Sequence, residues 1–373
     1  MPLIDTLWRN IARPALFSMD PEWVHETTMD RFSMALRQPS LRRAFSNACR
    51  VEDERLACER FGVRFPSPLG LAAGFDKNAR WFNALHALGF GFIEVGTLTG
   101  HAQDGNPQPR LFRLPGDQAL INRLGFNNRG SASAAASLAS ASEIRPVLGI
   151  NIGKSKRVPN DQAVEDYIAS FDRLAAFAAY VAINVSSPNT KGLRDLQHRD
   201  ALSGLLGALA ERNRAWATEN GRAPVPMLVK LAPDLSEEQH RDAVELVEEL
   251  GIDGIIATNT TIARDPLSAP AAEVEAIGNG GLSGRPLTER SRAFVHRTYA
   301  LSGGRVPIIG VGGVFDGDDA YEMLRAGASL VQAYTGFVYG GPLMPRRVNE
   351  RLLERMEADG AGSIDEVVGA AHR

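Results

Sequence analysis

The sequence predicts an α/β fold, a (β/α)8 TIM barrel with a small N-terminal helical extension. Eight short apolar runs recur along the 373 residues, at 70–74, 90–97, 147–153, 180–186, 227–232, 254–260, 307–313 and 330–336. Stretches of helical spacing separate them, near 79–88, 129–142, 163–178, 200–219, 236–250, 288–301, 317–326 and 345–357. Each run gives way to Gly, Ser, Thr, Asn, Asp or Lys. Eight strands alternating with helices close a parallel barrel, and in that barrel the C-terminal strand ends meet at one mouth. The polar residues therefore converge on one site.

Bulk properties agree with an ordinary globular protein. Hydrophobic residues make up 44% and charged residues 23%, with a net charge of −3. That balance argues against nucleic acid as a partner. The two cysteines, Cys49 and Cys58, precede the barrel, form no metal spacing and are expected as reduced thiols. No metal site is expected, because the seven histidines are dispersed. All seven are read as surface or structural. No apolar stretch approaches the roughly 20 residues of a spanning helix, and no signal-peptide core stands at the start.

Along the chain, residues 1–45 read as the helical extension and 46–373 as the catalytic barrel. Leu3, Ile4, Leu7, Trp8, Ile11, Ala15 and Leu16 recur at helical spacing over 3–17, opposite Asp5, Arg9, Asn10 and Arg13. Asp20-Pro21-Glu22 reads as an N-cap followed by Pro at the first helical position. The second helix then runs to about Leu36, with Pro39 as its stop. The two helices are either a cap packed on the barrel or a monotopic membrane contact with an apolar cleft between them. Alternating Phe61, Val63 and Phe65 within 50–66 predict a hairpin plugging the barrel bottom, and the barrel begins at Pro68. The fifth barrel helix has a clear start, with Ser236 as N-cap and Gln239 three residues on. Two connections, 100–129 and 261–286, are too long for plain barrel loops and are expected to cover the site. The residues after Glu357 are expected to fray.

The strand ends carry the chemistry. Strand one ends in Ala73-Gly74-Phe75-Asp76-Lys77, where small residues admit a flat ring and Lys77 can hold an anion, unless it pairs with Asp76 on the surface. The loop after strand two carries Asn122-Arg123-Leu124-Gly125-Phe126-Asn127-Asn128; the last two asparagines could equally be turn chemistry. Asn151 ends strand three, Asn184 and Ser187 end strand four, and amide side chains suit an amide-rich ring. No His is near Ser187, so a Ser–His–acid triad is not indicated. If Ser187 acts as a base, it needs a proton relay through water or Thr190. Lys230 interrupts an apolar strand and must meet a polar ligand, since burying it unpaired is costly. Thr258, Asn259 and Thr260 end strand six. Gly284 closes a Gly-rich run in the connection after strand six, and Gly313, Tyr334 and Thr335 lie in the loops after strands seven and eight, where this barrel usually cradles phosphate, with the helix start at 317 expected to help. A phosphate-bearing ring cofactor such as FMN fits this set.

The motifs LGLAAGFDKN, NPQPRLFRL, INRLGFNN, GINIGK, AINVSSPNTKGLR, KLAPDLS, GGLSGRPL, IIGVGGV and GASLVQAYTGF resemble the class 2 (quinone-dependent) dihydroorotate dehydrogenases over nearly the whole chain. Class 1 relatives place Cys where this chain has Ser187, and no Cys follows residue 58. The N-terminal extension is the second class 2 mark. The resemblance implies oxidation of dihydroorotate to orotate in pyrimidine synthesis, with FMN as cofactor and a membrane quinone as acceptor. It implies peripheral contact of the extension with the lipid bilayer, on the cytoplasmic side of a bacterial cell membrane. By motif, Ser187 would be the catalytic base. Lys77, Asn122, Arg123, Leu124, Gly125, Phe126, Asn184, Asn189, Asn259 and Thr260 would hold or wall the substrate. Ala73, Gly74, Thr97, Asn151, Asn184, Lys230, Thr258, Gly284, Gly313, Tyr334 and Thr335 would hold FMN. One departure is Asn78-Ala79-Arg80, where relatives often carry Gly in place of Ala79. Another FMN barrel oxidoreductase, such as a dihydrouridine synthase, and a sugar-phosphate barrel are the alternatives; the first would need a basic RNA face.

Overall fold

The computed structural model describes residues 2–373. Eight parallel strands close a barrel: Leu69–Leu71, Phe92–Thr99, Val147–Gly153, Tyr180–Asn184, Met227–Leu231, Gly254–Ala257, Ile308–Val311 and Leu330–Ala333. They pair in chain order, and the eighth returns to the first through Val331↔Leu69. Every barrel strand is buried or nearly so along its length, which is why each reads as a continuous apolar run. The expected barrel helices are present, and the fifth, Glu237–Glu249, starts in the Ser236–Gln239 capping box.

Glycine and aromatic residues alternate around the barrel floor. A Cβ on Gly70 would lie 2.4 Å from the Phe92 ring, and one on Gly149 would lie 2.2 Å from the Tyr180 ring. The strands therefore give up a side chain where a neighbour's ring fills the axis. The hairpin Cys58–Arg60/Val63–Phe65 closes the floor from below. Phe65 meets Phe92 edge-on at 5.2 Å, and Phe61 reaches Tyr180 at 6.4 Å. The larger apolar core lies between the strands and the outer helices.

The two long connections build one structure. Leu111–Leu114, Ala119–Asn122 and Gly281–Gly284 form a three-stranded antiparallel sheet over the mouth, with Ala119–Asn122 in the centre.

The extension differs from expectation in two ways: a π turn interrupts its first helix, and a third helix follows Pro39. Its first helix is Pro2–Leu7, a π turn at Trp8–Ala12, and Arg13–Phe17. Ile4, Leu7 and Ile11 are exposed, while Asp5 pairs with Arg347 and the Trp8 indole donates to the Tyr339 carbonyl. Ile4, Leu7 and Ile11 thus point away from the barrel while Trp8 and Leu16 turn toward it, so the apolar edge is split; the side chain of Leu3 lies outside the described residues. The second helix, Pro21–Ala35, starts as expected, with Asp20 accepting from the Trp23 amide. Pro39 does not merely stop it. Pro39 opens a third helix, Pro39–Cys49, which the sequence reading missed and which runs across the expected division at 45/46. At the other terminus, the chain beyond Glu357 is ordered rather than frayed: the helix runs to Asp359, and Ile364 and Val367 are buried in the main core.

Candidate active site

The barrel mouth encloses a polar chamber with about 1080 Å3 of atom-free space, counted to its open rim. Lys77, Ser187 and Lys230 all line this one chamber. So do Ala73, Gly74, Thr97, Asn122, Leu124, Gly125, Phe126, Asn184, Asn189, Thr258, Asn259, Thr260, Gly284, Gly313, Tyr334 and Thr335. Two expected residues do not reach it. The Arg123 guanidinium turns outward, donating to the carbonyls of Pro109 and Ile277 over the Phe112 ring. Asn151 stands one layer behind, within the hydrogen-bond network of the floor.

That floor is organised by Glu94, which is fully buried. One carboxylate oxygen accepts from Asn151 Nδ2 at 2.9 Å and lies 3.5 Å from Lys230 Nζ. The other accepts from Gln332 Nε2 at 2.7 Å and Tyr180 OH at 2.9 Å. Above it, Thr97 donates to Asn151 Oδ1 at 2.5 Å, and Asn184 Nδ2 donates to Thr97 Oγ1 at 2.9 Å. Asn184 Oδ1 accepts from Ser186, whose Oγ also accepts from Asn259 Nδ2 at 2.9 Å. The amides are thus locked in one orientation from two ends, the Glu94 carboxylate, which can only accept, and the Ser186 backbone N–H, which can only donate to Asn184 Oδ1. Gln332 Oε1 is buried without a partner, a donor's place at the chamber wall.

Ser187 is buried, and its Oγ accepts from the Asn189 amide at 3.2 Å. Three residues on, Thr190 Oγ1 is buried without a hydrogen-bond partner. Asn189 Nδ2 donates to Asn122 Oδ1 at 3.0 Å, which ties the serine loop to the mouth sheet. Arg194 secures the same loop from behind, donating to the Ser186 and Thr260 carbonyls and pairing with Asp234 at 2.9 Å. Arg194 closes the AINVSSPNTKGLR motif, but only the folded loop shows that its side chain turns back onto the Ser186 and Thr260 carbonyls.

Asp76 and Lys77 do not form the alternative surface pair. Asp76 is buried and accepts from the Arg80 and Trp81 amides, holding the turn after strand one. Ala79 in this turn has φ +52°, a left-handed conformation that glycine adopts without strain. Lys77 donates no hydrogen bond to any described residue, and burial lowers its affinity for the proton, with Glu22 and Glu26 opposing that effect. An enclosed ammonium with no protein acceptor is suited to an anionic ligand. The loop asparagines divide: Asn127 lines the chamber, whereas Asn128 holds backbone amides of Thr99 and Gly130.

At the far end, backbone crowds the chamber. A Cβ on Gly336 would lie 2.0 Å from the Val314 carbonyl oxygen, and Gly284 (φ +107°) would press on the Gln118 carbonyl. The helix start at 317 does not line the chamber. Its first turn is closed by an Asp316–Asp319 capping box, and Arg285 pairs with both carboxylates. The short helix Thr335–Gly340 opens at the chamber instead.

A second, apolar cavity of about 1140 Å3 lies between the extension and the barrel. Val24, His25, Met29, Phe32 and Phe45 line it from the extension, Phe75, Phe337 and Val338 from the barrel. Leu111, Leu120 and Tyr334 wall both cavities. His25 bonds the Phe75 carbonyl at 2.8 Å, and burial, reinforced by the Lys77 charge, lowers its pKa to about 3. Arg113 closes one side, donating to the Met19 carbonyl at 2.8 Å. His25 was expected to be surface or structural, and Arg113 was not singled out although it stands in the NPQPRLFRL motif; the apolar cavity they line is built only when the extension folds onto the barrel.

A barrel whose mouth holds a polar and an apolar chamber on two sides of Tyr334 defines a two-substrate barrel enzyme. The chain belongs to the dihydroorotate dehydrogenase family: the profile described as Dihydroorotate dehydrogenase matches residues 55–356. A dihydroorotate dehydrogenase (quinone) of Chloroflexus aurantiacus is 50% identical over 346 residues, covering 91% of this chain and 94% of the relative. That of Thermobifida fusca is 46% identical, covering 97% and 96%. A crystal structure of the Eimeria tenella enzyme in complex with ferulenol superposes with a TM-score of 0.84 at 38% identity, covering 95% of this chain and 96% of that one.

Proposed function

We infer that the chain oxidises dihydroorotate to orotate in pyrimidine biosynthesis and passes the electrons to a quinone. The observation that carries this reading is the pair of chambers meeting at Tyr334, one lined by Lys77, Ser187 and several asparagine amides, the other almost wholly apolar. Names of the relatives at 46–50% identity support it.

The residues fit FMN. Crowded glycines leave room for a phosphate beside Gly313 and Thr335, and the unpartnered Gln332 oxygen and Lys230 ammonium suit the polar edge of a flavin ring. Ala73, Gly74, Thr97, Asn151, Asn184, Lys230, Thr258, Gly284, Gly313, Tyr334 and Thr335 are proposed to hold it, Asn151 from behind through Thr97 and Asn184. FMN bound there supplies an acceptor for the hydride from C6 and a donor of two electrons to quinone.

Lys77 is proposed to hold the dihydroorotate carboxylate. Asn122, Asn184, Asn189, Asn259 and Thr260 orient the ring amides, and Phe126 excludes water. Ser187 takes the C5 proton. Its hydroxyl is a weak base, so the proton must move on, and the unpaired Thr190 hydroxyl is the available next carrier. Closure of the serine loop by Arg194 keeps that path dry.

The apolar cavity is proposed as the quinone entrance and the helices of residues 2–49 as one membrane-contacting unit, with 50–373 as the catalytic body. Among the large hydrophobic side chains exposed in the described residues, Ile4, Leu7, Ile11, Met19, Trp23, Met34 and Leu41 all lie in the extension, and only Ile262 does not. No described helix is long and apolar enough to cross a membrane. The seat proposed for this apolar face is peripheral, on the inner face of a bacterial cell membrane. Because the two substrates use separate chambers, turnover is proposed to be ping-pong.

The test is the visible spectrum of the purified protein. A yellow preparation bleached by dihydroorotate under argon and recoloured by a short-chain quinone is expected. A correctly folded colourless preparation, or a flavin spectrum indifferent to dihydroorotate, would overturn the reading.

A further inference from the structure

The extension also touches a residue that lines the polar chamber. Glu22, in the first turn of Pro21–Ala35, points away from the apolar cavity and is 6% exposed. Its carboxylate receives the Arg110 fork, with Nη2 at 2.6 Å and Nε at 2.9 Å. It also accepts from Gln108 Nε2 at 3.2 Å and Asn127 Nδ2 at 3.3 Å. One residue of the extension thus gathers three residues of the long connection after strand two.

What Glu22 gathers leads to the substrate side. Arg110 Nη1 donates to the Asp104 and Asn106 carbonyls, at 2.5 and 2.7 Å. Asn106 Nδ2 in turn donates to the carbonyls of Arg123 and Asn189, at 2.9 and 3.2 Å. Asn189 bonds Asn122, and both line the chamber. Asn127 lines it too. A carboxylate can only accept, so Glu22 fixes the Asn127 amide with its NH2 group turned away, and Asn127 Oδ1 is buried with no partner. Glu22 is also the strongest of the nearby charges that favour the Lys77 ammonium. Burial pushes Glu22 toward the neutral acid, but Arg110, Gln108 and Lys77 more than offset it, so it carries its charge.

We propose that Glu22 is a positioning residue for the dihydroorotate half-reaction: through Arg110 and Asn127 it locks the chamber rim, so the extension serves the polar chamber as well as the apolar one. This rests on the reading that dihydroorotate occupies the polar chamber.

The experiment uses the full-length holoenzyme with Glu22→Gln, Arg110→Gln and the double variant. Amide exchange over 104–110 and 122–128 without substrate, anaerobic reduction by dihydroorotate, and the quinone KM are measured. Glu22→Gln should speed exchange over 104–110 and raise the dihydroorotate Kd about tenfold, the loss of one charge-assisted hydrogen bond. The quinone KM should stay within twofold, and the double variant should be no worse than the poorer single one. If Glu22→Gln does not fold, Arg110→Gln carries the same expectation. A dihydroorotate Kd within twofold of wild type, or a quinone KM that rises equally, overturns the proposal. Should wild-type flavin ignore dihydroorotate, the functional reading has failed rather than the lock, and unchanged exchange over 104–110 would then overturn the lock itself.

Discussion

Glu94 Oε1 stands 3.5 Å from Lys230 Nζ, and both side chains are enclosed by the barrel, at 0% and 6% exposure. The same carboxylate takes hydrogen bonds from Asn151, Tyr180 and Gln332. Glu94→Ala would leave four buried polar groups short of an acceptor. The expected cost is about 3–5 kcal/mol, that of breaking a buried charge pair, read as a lower urea midpoint. A loss under about 1 kcal/mol, the net worth of one ordinary hydrogen bond, would mean that water replaces the carboxylate.

Ser187→Ala removes the proposed base and leaves the chamber's walls in place. Bound flavin should be retained while its reduction by dihydroorotate slows about 10²–10⁴-fold in anaerobic stopped flow. An unchanged rate would assign the C5 proton to another acceptor.

Thr28 lines the apolar cavity from an exposed position on the extension. Thr28→Trp should obstruct the entrance and raise the quinone KM by about tenfold or more, a cost of roughly 1–3 kcal/mol for overpacking. The dihydroorotate Kd should not move. Equal effects on both substrates would argue against separate routes.

Three histidines packed into the protein set an acid limit on stability. Desolvation holds His25 at about 3, and His86 and His240 at about 4. Each lies below its unfolded value, so the unfolded chain binds the proton first as pH falls. Their contribution is complete above about pH 6.5 and is lost on the way down to about pH 4 for His86 and His240 and about pH 3 for His25, at about 1.4 kcal/mol per pH unit for each. Denaturation at about pH 7, 6 and 5 should show this slope. His240→Gln, which can keep the bond to Thr298 Oγ1, should remove about one third of it.

The barrel was legible because each strand is a local pattern and its polar end is adjacent in sequence. Lys77, Ser187 and Lys230 could be placed together from that alone. What escaped notice depended on distance or on a residue with two meanings. Pro39 is a stop for one helix and the first residue of the next. Glu94 is a single acid in an apolar run, and only the closed barrel brings Lys230 and Gln332 to it. The two long connections looked like separate covers, yet Gly281 pairs with Asn122 across 159 residues. Arg123 sits in a polar cluster by sequence, but its backbone serves the rim and its side chain leaves it. Glu22 changes what truncation means: removing residues 1–40 deletes the lock on the polar rim together with the apolar cavity, so both half-reactions should suffer.

Leu111, Leu120 and Tyr334 form a party wall. A variant that widens one room narrows or reshapes the other, so resistance to an inhibitor lodged in the greasy room, if acquired at these three positions, will carry a penalty in the pyrimidine room. Changes confined to Val24, Met29 or Phe32, which line the apolar cavity alone, escape that coupling to the polar chamber.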